Sequence, residues 1–131
     1  MELERLKMAV LLTVIIGGIL HIQISDAQKQ NRHIVGDSVD WTIPPDDNTY
    51  ITWAASQKFA IGDTLVFNFE SELHTVAEVT EAAYNECNSQ NPISEWTKGP
   101  ASVPLKSSGK HYYLCSVPGH CMAAQKLAIN V

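Results

Sequence analysis

Apolar and polar residues alternate in several short runs along the chain, and residues 64–69 show this pattern most clearly. There Leu65, Phe67 and Phe69 fall on one face, and a period of two residues predicts a strand with one buried side. Turn-forming residues such as Pro, Gly and Asp separate the runs. The same alternation predicts a strand at residues 126–131, and short apolar runs between turn residues predict five more, at 33–35, 49–53, 75–79, 101–105 and 111–115.

One short segment, residues 80–87, has helical character, and Thr80 is a candidate N-cap for it. No long helical pattern accompanies the strands. Several short strands at this spacing predict an all-β domain, built as an antiparallel sandwich or barrel.

The N-terminal region has a different pattern. Residues 8–20 form a 13-residue apolar run, which is shorter than the ~20 residues that span a bilayer and has the length of the apolar part of a signal peptide. Small residues at Ser25 and Ala27 suit cleavage after Ala27. We therefore predict a secretory signal peptide at 1–27 and a single mature domain at 28–131, secreted, with no transmembrane span and no GPI-anchor signal.

Charge limits the classes of partner. The 131 residues include 9 Lys+Arg and 14 Asp+Glu, which gives a formal net charge of -5. This balance lacks the basic surface that nucleic acid or an anionic membrane requires, so both are excluded as predicted partners. Removal of residues 1–27 takes away three acidic and two basic side chains, and the mature domain stays mildly acidic.

All three cysteines, Cys87, Cys115 and Cys121, lie in the predicted exported domain. Cysteines pair by oxidation in that compartment, but three cannot all pair, and one thiol is left over. The leftover thiol either pairs with another chain or holds a metal ion.

The segment 115–125 carries thiol, imidazole, thioether and amide groups within eleven residues. An extended chain from Cys115 to His120 would span roughly 16 Å, so the two side chains share an ion only if the chain doubles back. Pro118-Gly119 provides a suitable turn. Predicted strands on both sides would hold this loop rigidly. The segment therefore indicates a metal site.

A further strong ligand must come from elsewhere in the chain. His74 is the best placed, because it begins the predicted strand 75–79. His111 lies about 13 Å before Cys115 along one strand, and His33 lies near the beginning of the domain. Both are more simply interpreted as surface or core histidines.

Three neighbours of the candidate ligands have two interpretations each. Thr75 and Ser116 each follow a candidate ligand, where they could place a hydrogen-bond donor near the sulfur or serve as ordinary strand and turn residues. Met122 lies only two residues after His120 and is most simply a hydrophobic loop residue.

Two other kinds of site remain open on the residues alone. A structural zinc site would use Cys87, Cys115, Cys121 and His120, although the usual Cys-x2-4-Cys spacing is missing. A thiol nucleophile would use Cys115 and His120, although no third residue obviously orients the imidazole.

The pattern Cys115-x4-His120-x4-Gln125, with an isolated histidine and Tyr84-Asn-Glu-Cys87 before it, resembles the phytocyanins, the plant type 1 (blue) copper proteins. The resemblance extends over nearly all of the predicted mature chain. Gln125 makes the chain most similar to the stellacyanin and umecyanin branch, because other branches have Met there. The resemblance implies a cupredoxin-like Greek-key β-sandwich of about seven or eight strands in two sheets, with one or two short helices.

Residue by residue, the resemblance implies one type 1 copper ion with four ligands: His74, Cys115, His120 and Gln125. It also implies a disulfide between Cys87 and Cys121. The implied function is single-electron transfer by a monomeric, non-enzymatic protein of the apoplast or cell wall, with a small-molecule or protein redox partner that the sequence does not identify. The alternative is a non-catalytic extracellular matrix protein whose site is empty or holds zinc.

Overall fold

The computed structural model describes residues 8–15, 19–26 and 30–131. The chain divides into one unit that ends at Gln30 and a second unit, Asn31–Val131.

The first unit contains two paired strands. Strand β1 (Met8–Ile15) pairs antiparallel with β2 (Ile19–Asp26), with Met8 opposite Asp26. The predicted signal peptide includes both strands, and its predicted cleavage point after Ala27 lies outside the described residues. Among the described residues, no helix has the length and apolar character needed to cross a bilayer.

The second unit is built from two β-sheets. The first sheet contains three strands: β3 (Arg32–Ile34), β4 (Thr64–Phe67) and β7 (Ala101–Pro104). Strand β4 lies in the centre, parallel to β3 and antiparallel to β7.

The second sheet contains four strands: β5 (Val76–Val79), β6 (Ser94–Trp96), β8 (Lys110–Leu114) and β9 (Lys126–Asn130). Their order is β6-β5-β8-β9, and all neighbours are antiparallel.

The hydrophobic core contains side chains from both sheets. Phe67 of β4 packs against Tyr113 of β8, with ring centroids 5.6 Å apart, and against Trp41 in an edge-to-face arrangement at 4.8 Å. Such aromatic pairs contribute about 0.5–1.5 kcal/mol each beyond the burial of their surface. In β7 and β9, buried and exposed residues alternate along the strand. The predicted all-β sandwich with two sheets and short helices is therefore confirmed, although the expected antiparallel arrangement does not hold for β3, which is parallel to β4.

One predicted strand is wrong. Residues 49–53 belong to the helix α1 (Thr49–Ala55), in which Tyr50 and Trp53 are buried and Ile51 is exposed. A spacing of three residues between the buried aromatics fits one face of a helix. The side chains of this segment are β-branched and aromatic types that also favour strands, and tertiary packing decides between the two.

The predicted helix at 80–87 is confirmed as α2 (Glu81–Glu86). The Thr80 hydroxyl accepts a hydrogen bond from the Ala83 N–H at 3.2 Å, which is the expected N-cap contact. The helix ends at Cys87, which has the left-handed φ of 51° that often follows a helix. The strand β6 was not predicted, because Ser94 and Glu95 are both exposed and the segment shows no alternation of buried and exposed positions.

Candidate metal centre

Three side chains meet at one end of the four-stranded sheet. His74, Cys115 and His120 each offer a ligand atom, and these atoms all lie within 4.8 Å of one another. The Nδ1 atoms of His74 and His120 are 3.2 Å apart, and Cys115 Sγ is 3.5 Å from His120 Nδ1. The fold therefore brings together the three strong donors that the sequence analysis named as candidate ligands.

Strand pairing explains how His74 reaches Cys115. Strands β5 and β8 are antiparallel, with Ala77 opposite Leu114. The residues just before β5 and just after β8 therefore lie at the same end of the sheet. His74 and Cys115 occupy those two positions, 41 residues apart in the sequence.

The loop between β8 and β9 brings His120 back towards Cys115. The His120 N–H donates to the Val117 carbonyl at 3.0 Å, and Gly119 has a φ of +84°, in the region that favours glycine. The Cys115 N–H donates to the Gln125 carbonyl at 3.1 Å and closes the base of the loop. The predicted reversal at Pro118-Gly119 is thus present, and the sheet holds both ends of the loop.

Cys115 is buried and carries a free thiol, whereas Cys87 and Cys121 form a disulfide. The pairing implied by the resemblance is therefore present. Two of the four ligands of the alternative zinc site are thereby removed, since a disulfide sulfur is not a thiolate ligand. The Thr75 N–H points at the Cys115 sulfur at 3.4 Å and provides one hydrogen bond to it.

The two histidines are only partly buried. The pKa of His74 is lowered, first because partial burial disfavours the charged imidazole and second because His120 lies beside it. The Gln125 side chain and the charge of Glu70 act in the opposite direction on this pKa.

Gln125 is fully buried, and its side chain is the unusual one of the site. Neither its Oε1 nor its Nε2 has a hydrogen-bond partner of acceptable geometry among the described residues. Leaving a buried polar group without a partner costs roughly 1–3 kcal/mol, so such a group requires an explanation. A metal ion bound by the neighbouring donors would supply the missing partner for the oxygen.

The remaining candidates lie elsewhere and have their own partners. His33 contacts Asp63 at 2.9 Å and Gln57 at 2.8 Å, while His111 contacts Glu78 at 3.0 Å. Met122 is 81% exposed. The interpretation of these residues as ordinary core or surface side chains is therefore supported.

Sequence reasoning missed Glu95, which reaches the site from β6. The Ser116 hydroxyl donates to Glu95 Oε2 at 3.1 Å and lies 2.6 Å from the Thr75 hydroxyl. Glu95 lies 20 residues before Cys115 in the sequence, and no local pattern marks it, because only the pairing of β6 with β5 brings it close.

Comparison with known proteins agrees with this geometry. The Plastocyanin-like domain family matches residues 41–125. Stellacyanin of Toxicodendron vernicifluum is 41% identical over 101 residues, a match that covers 76% of this chain and 94% of stellacyanin. The chain belongs to the phytocyanin family.

Two further relatives extend the comparison for this phytocyanin. A blue copper protein of Pisum sativum is 48% identical over 99 residues, covering 76% of this chain and 51% of that protein. The solved structure of cucumber stellacyanin, described as the Cu2+ form, superposes with a TM-score of 0.72 at 39% identity, covering 79% of this chain and 96% of the other. The cupredoxin-like fold is therefore confirmed. The chain spans about half the length of the first curated relatives it matches.

Proposed function

We propose that this phytocyanin is a blue copper protein that carries single electrons. Its proposed ligands are the imidazoles of His74 and His120, the thiolate of Cys115 and, as a weak fourth donor, the amide oxygen of Gln125. The observation that supports this most strongly is the convergence of three donor atoms within 4.8 Å, together with a buried amide that has no hydrogen-bond partner in the described part of the chain.

The donor set favours copper over other metals. Two imidazoles and one thiolate with a weak axial donor are the set of a type 1 site. When bound, copper supplies a one-electron couple between Cu(II) and Cu(I). Thiolate favours Cu(I) and imidazole accepts both states, so this set of side chains keeps both oxidation states accessible.

Gln125 determines which oxidation state of the Cu(II)/Cu(I) couple the site favours. An amide oxygen is a harder donor than the thioether of methionine, so it favours Cu(II). We therefore propose that this protein has a low reduction potential for a blue copper site.

The surrounding structure supports electron transfer rather than substrate turnover. The His120 loop is held by backbone hydrogen bonds at Cys115 and Gln125 and by the disulfide of Cys121. Rigid ligands limit reorganisation when the charge of the metal changes. With four protein donors, the proposed site keeps no position for a substrate, which supports a carrier and not an enzyme.

The compartment is also part of the proposal. A disulfide and a predicted signal peptide at 1–27 together favour an oxidising, extracellular location. The electron donor and acceptor would then be small molecules or proteins of that compartment.

The test is a titration of the purified protein with Cu(II), followed by visible absorption. We expect an intense thiolate-to-copper band that saturates at one equivalent and is bleached by ascorbate. A protein that stays colourless with Cu(II), or that binds Zn(II) in preference to Cu(II), would contradict the proposal and favour the matrix-protein alternative. A thiol count on the denatured, metal-free protein checks the starting state, and one free thiol is expected.

A further inference from the structure

The hydroxyl groups of Thr75 and Ser116 form a series of contacts that connects the surface to the sulfur of the metal centre. Glu95 on β6 accepts from Ser116, Ser116 lies against Thr75, and Thr75 lies against Cys115. Glu95 is exposed, while Thr75 and Ser116 are partly buried. The pairing of Ala77 with Glu95 between β5 and β6 fixes the outer end of this chain of contacts.

Each hydroxyl group has a single hydrogen to donate. An ionised carboxylate only accepts, so the Ser116 hydrogen points to Glu95 Oε2 at 3.1 Å. The oxygens of Thr75 and Ser116 are 2.6 Å apart, and since Ser116 has used its hydrogen, Thr75 is the donor between them. The Ser116 N–H, which donates to Thr75 Oγ1 at 2.8 Å, holds this orientation.

The direction of these hydrogen bonds decides how many hydrogen bonds the Cys115 sulfur accepts. The Thr75 hydroxyl oxygen is 3.9 Å from the sulfur, close enough for a weak hydrogen bond if its hydrogen were free. With that hydrogen directed to Ser116, the sulfur keeps the hydrogen bond from the Thr75 N–H at 3.4 Å and does not gain a second one from the hydroxyl.

We propose that Glu95 and Ser116 are positioning residues that turn the Thr75 hydroxyl away from the Cys115 sulfur and so keep the reduction potential of the site low. This inference rests on the proposed copper function. A hydrogen bond to a thiolate withdraws electron density from the sulfur, weakens its donation to Cu(II) and raises the potential. The Glu95 carboxylate acts on the metal through this orientation, in addition to any effect of its charge.

The test is a double-mutant cycle on the copper-loaded protein, since this design separates orientation from charge. Glu95→Ala is made in the native protein and in a Thr75→Val background, which keeps the backbone N–H but has no hydroxyl. Loss of the carboxylate charge affects both backgrounds equally. Release of the Thr75 hydrogen affects only the native one.

We expect the potential to rise further in the native background than in Thr75→Val. The difference should correspond to about a threefold change in the Cu(II)/Cu(I) ratio, or about 28 mV at 59 mV per tenfold for one electron. The thiolate-to-copper band should move to higher energy in the native background alone, because the new hydrogen bond stabilises the sulfur electrons.

Substitutions of Ser116 provide an independent test that leaves Thr75 unchanged. Ser116→Ala should raise the potential, and Ser116→Thr, which restores a hydroxyl, should return it to the native value. If Thr75→Val disturbs copper binding, Thr75→Ala is the replacement background.

The outcomes separate the two proposals. Equal shifts of Glu95→Ala in both backgrounds, with no effect of Ser116→Ala, would overturn the role of Glu95 and Ser116 while leaving the copper function intact. A native protein that develops no blue band with Cu(II) would overturn both.

Discussion

The cluster around His33 and the metal centre around His74 both place a histidine next to a buried polar side chain, but they differ in how their hydrogen bonds are completed. In the His33 cluster, the two imidazole nitrogens contact Asp63 and Gln57. Asp63 also accepts from the Asn31 and Ala60 N–H groups at 3.0 and 3.1 Å. In the metal centre, by contrast, the buried Gln125 amide has no partner among the described residues.

This difference distinguishes a structural cluster from a binding site. A buried polar network whose members are all paired is complete by itself and contributes to a single well-defined fold. A group of donors with an unpaired buried amide lacks one component. The side chain to examine at such a site is therefore one without a partner, and among the described residues of the metal centre that side chain is Gln125.

The largest expected effect comes from removing the thiolate at the metal centre. Cys115→Ser should abolish the visible band completely, because serine does not provide the sulfur charge-transfer donor. The fold should remain, since the Cys87–Cys121 disulfide is untouched. Absorption after Cu(II) addition and the denaturant midpoint measure the two effects. A variant that is still blue would refute the ligand assignment.

In the His33 cluster, the largest expected effect is on stability. Asp63→Asn should lower the free energy of unfolding by about 2 kcal/mol at pH 7, because hydrogen bonds to a buried charge are lost. Denaturant unfolding measures this change, and the exposed Asp47→Asn is the matched control. The blue spectrum should be unchanged in both variants, and a loss of colour in Asp63→Asn would show that the two clusters are coupled.

The pH dependence of Asp63→Asn sharpens this test. Burial alone would raise the pKa of Asp63, but the hydrogen bonds from His33 and from the Asn31 and Ala60 N–H groups lower it overall. The carboxylate therefore contributes stability above its ordinary pKa of about 3.9. This contribution is lost as the pH falls through the lower pKa of the folded state. The difference in stability between native protein and variant should shrink in acid, and a constant difference would contradict the assignment.

At the metal centre, Gln125→Met tests the weak fourth donor. Copper and colour should be retained while the potential rises, because a thioether favours Cu(II) less than an amide oxygen does. We expect a change of about tenfold in the Cu(II)/Cu(I) ratio, or about 59 mV, measured by voltammetry. An unchanged potential would mean that Gln125 does not act on the metal.

The smallest expected effects come from a matched pair of glutamines in the metal-free protein. Gln125→Leu should raise the free energy of unfolding by about 1 kcal/mol, since it removes an unpaired buried amide. Gln57→Leu should lower it by about 1 kcal/mol, since His33 Nδ1 loses its partner. Denaturant unfolding measures both, and changes of the same sign would contradict the contrast between the two clusters.

Much of this site could be predicted from the sequence because its determinants are local. The alternating strands β4 and β9, the Thr80 cap and the reversal at Pro118-Gly119 each depend on a few neighbouring residues. His74 could be named as a candidate ligand because it directly precedes a predicted strand. These local signals identify the three donors as candidates, and the pairing of β5 with β8 brings them to one end of the sheet.

The parts that could not be predicted depend on contacts between distant segments. Helix α1 was mistaken for a strand, because the residues of Thr49–Ala55 suit both structures and the burial of Tyr50 and Trp53 decides the outcome. Glu95 lies on a three-residue edge strand whose position depends on β5. Whether Gln125 has a hydrogen-bond partner is also a property of the packed core that no spacing reveals.

The spacing of the proposed ligands has a consequence for the order in which the metal centre assembles. Three of the four lie within the eleven residues 115–125, whose base is closed by the Cys115–Gln125 backbone hydrogen bond. The fourth, His74, arrives only when β5 pairs with β8. A ligand that binds only the native arrangement stabilises it. Bound copper would therefore stabilise the contact between the 115–125 loop and strand β5. Metal affinity during refolding would then report when the sheet is complete.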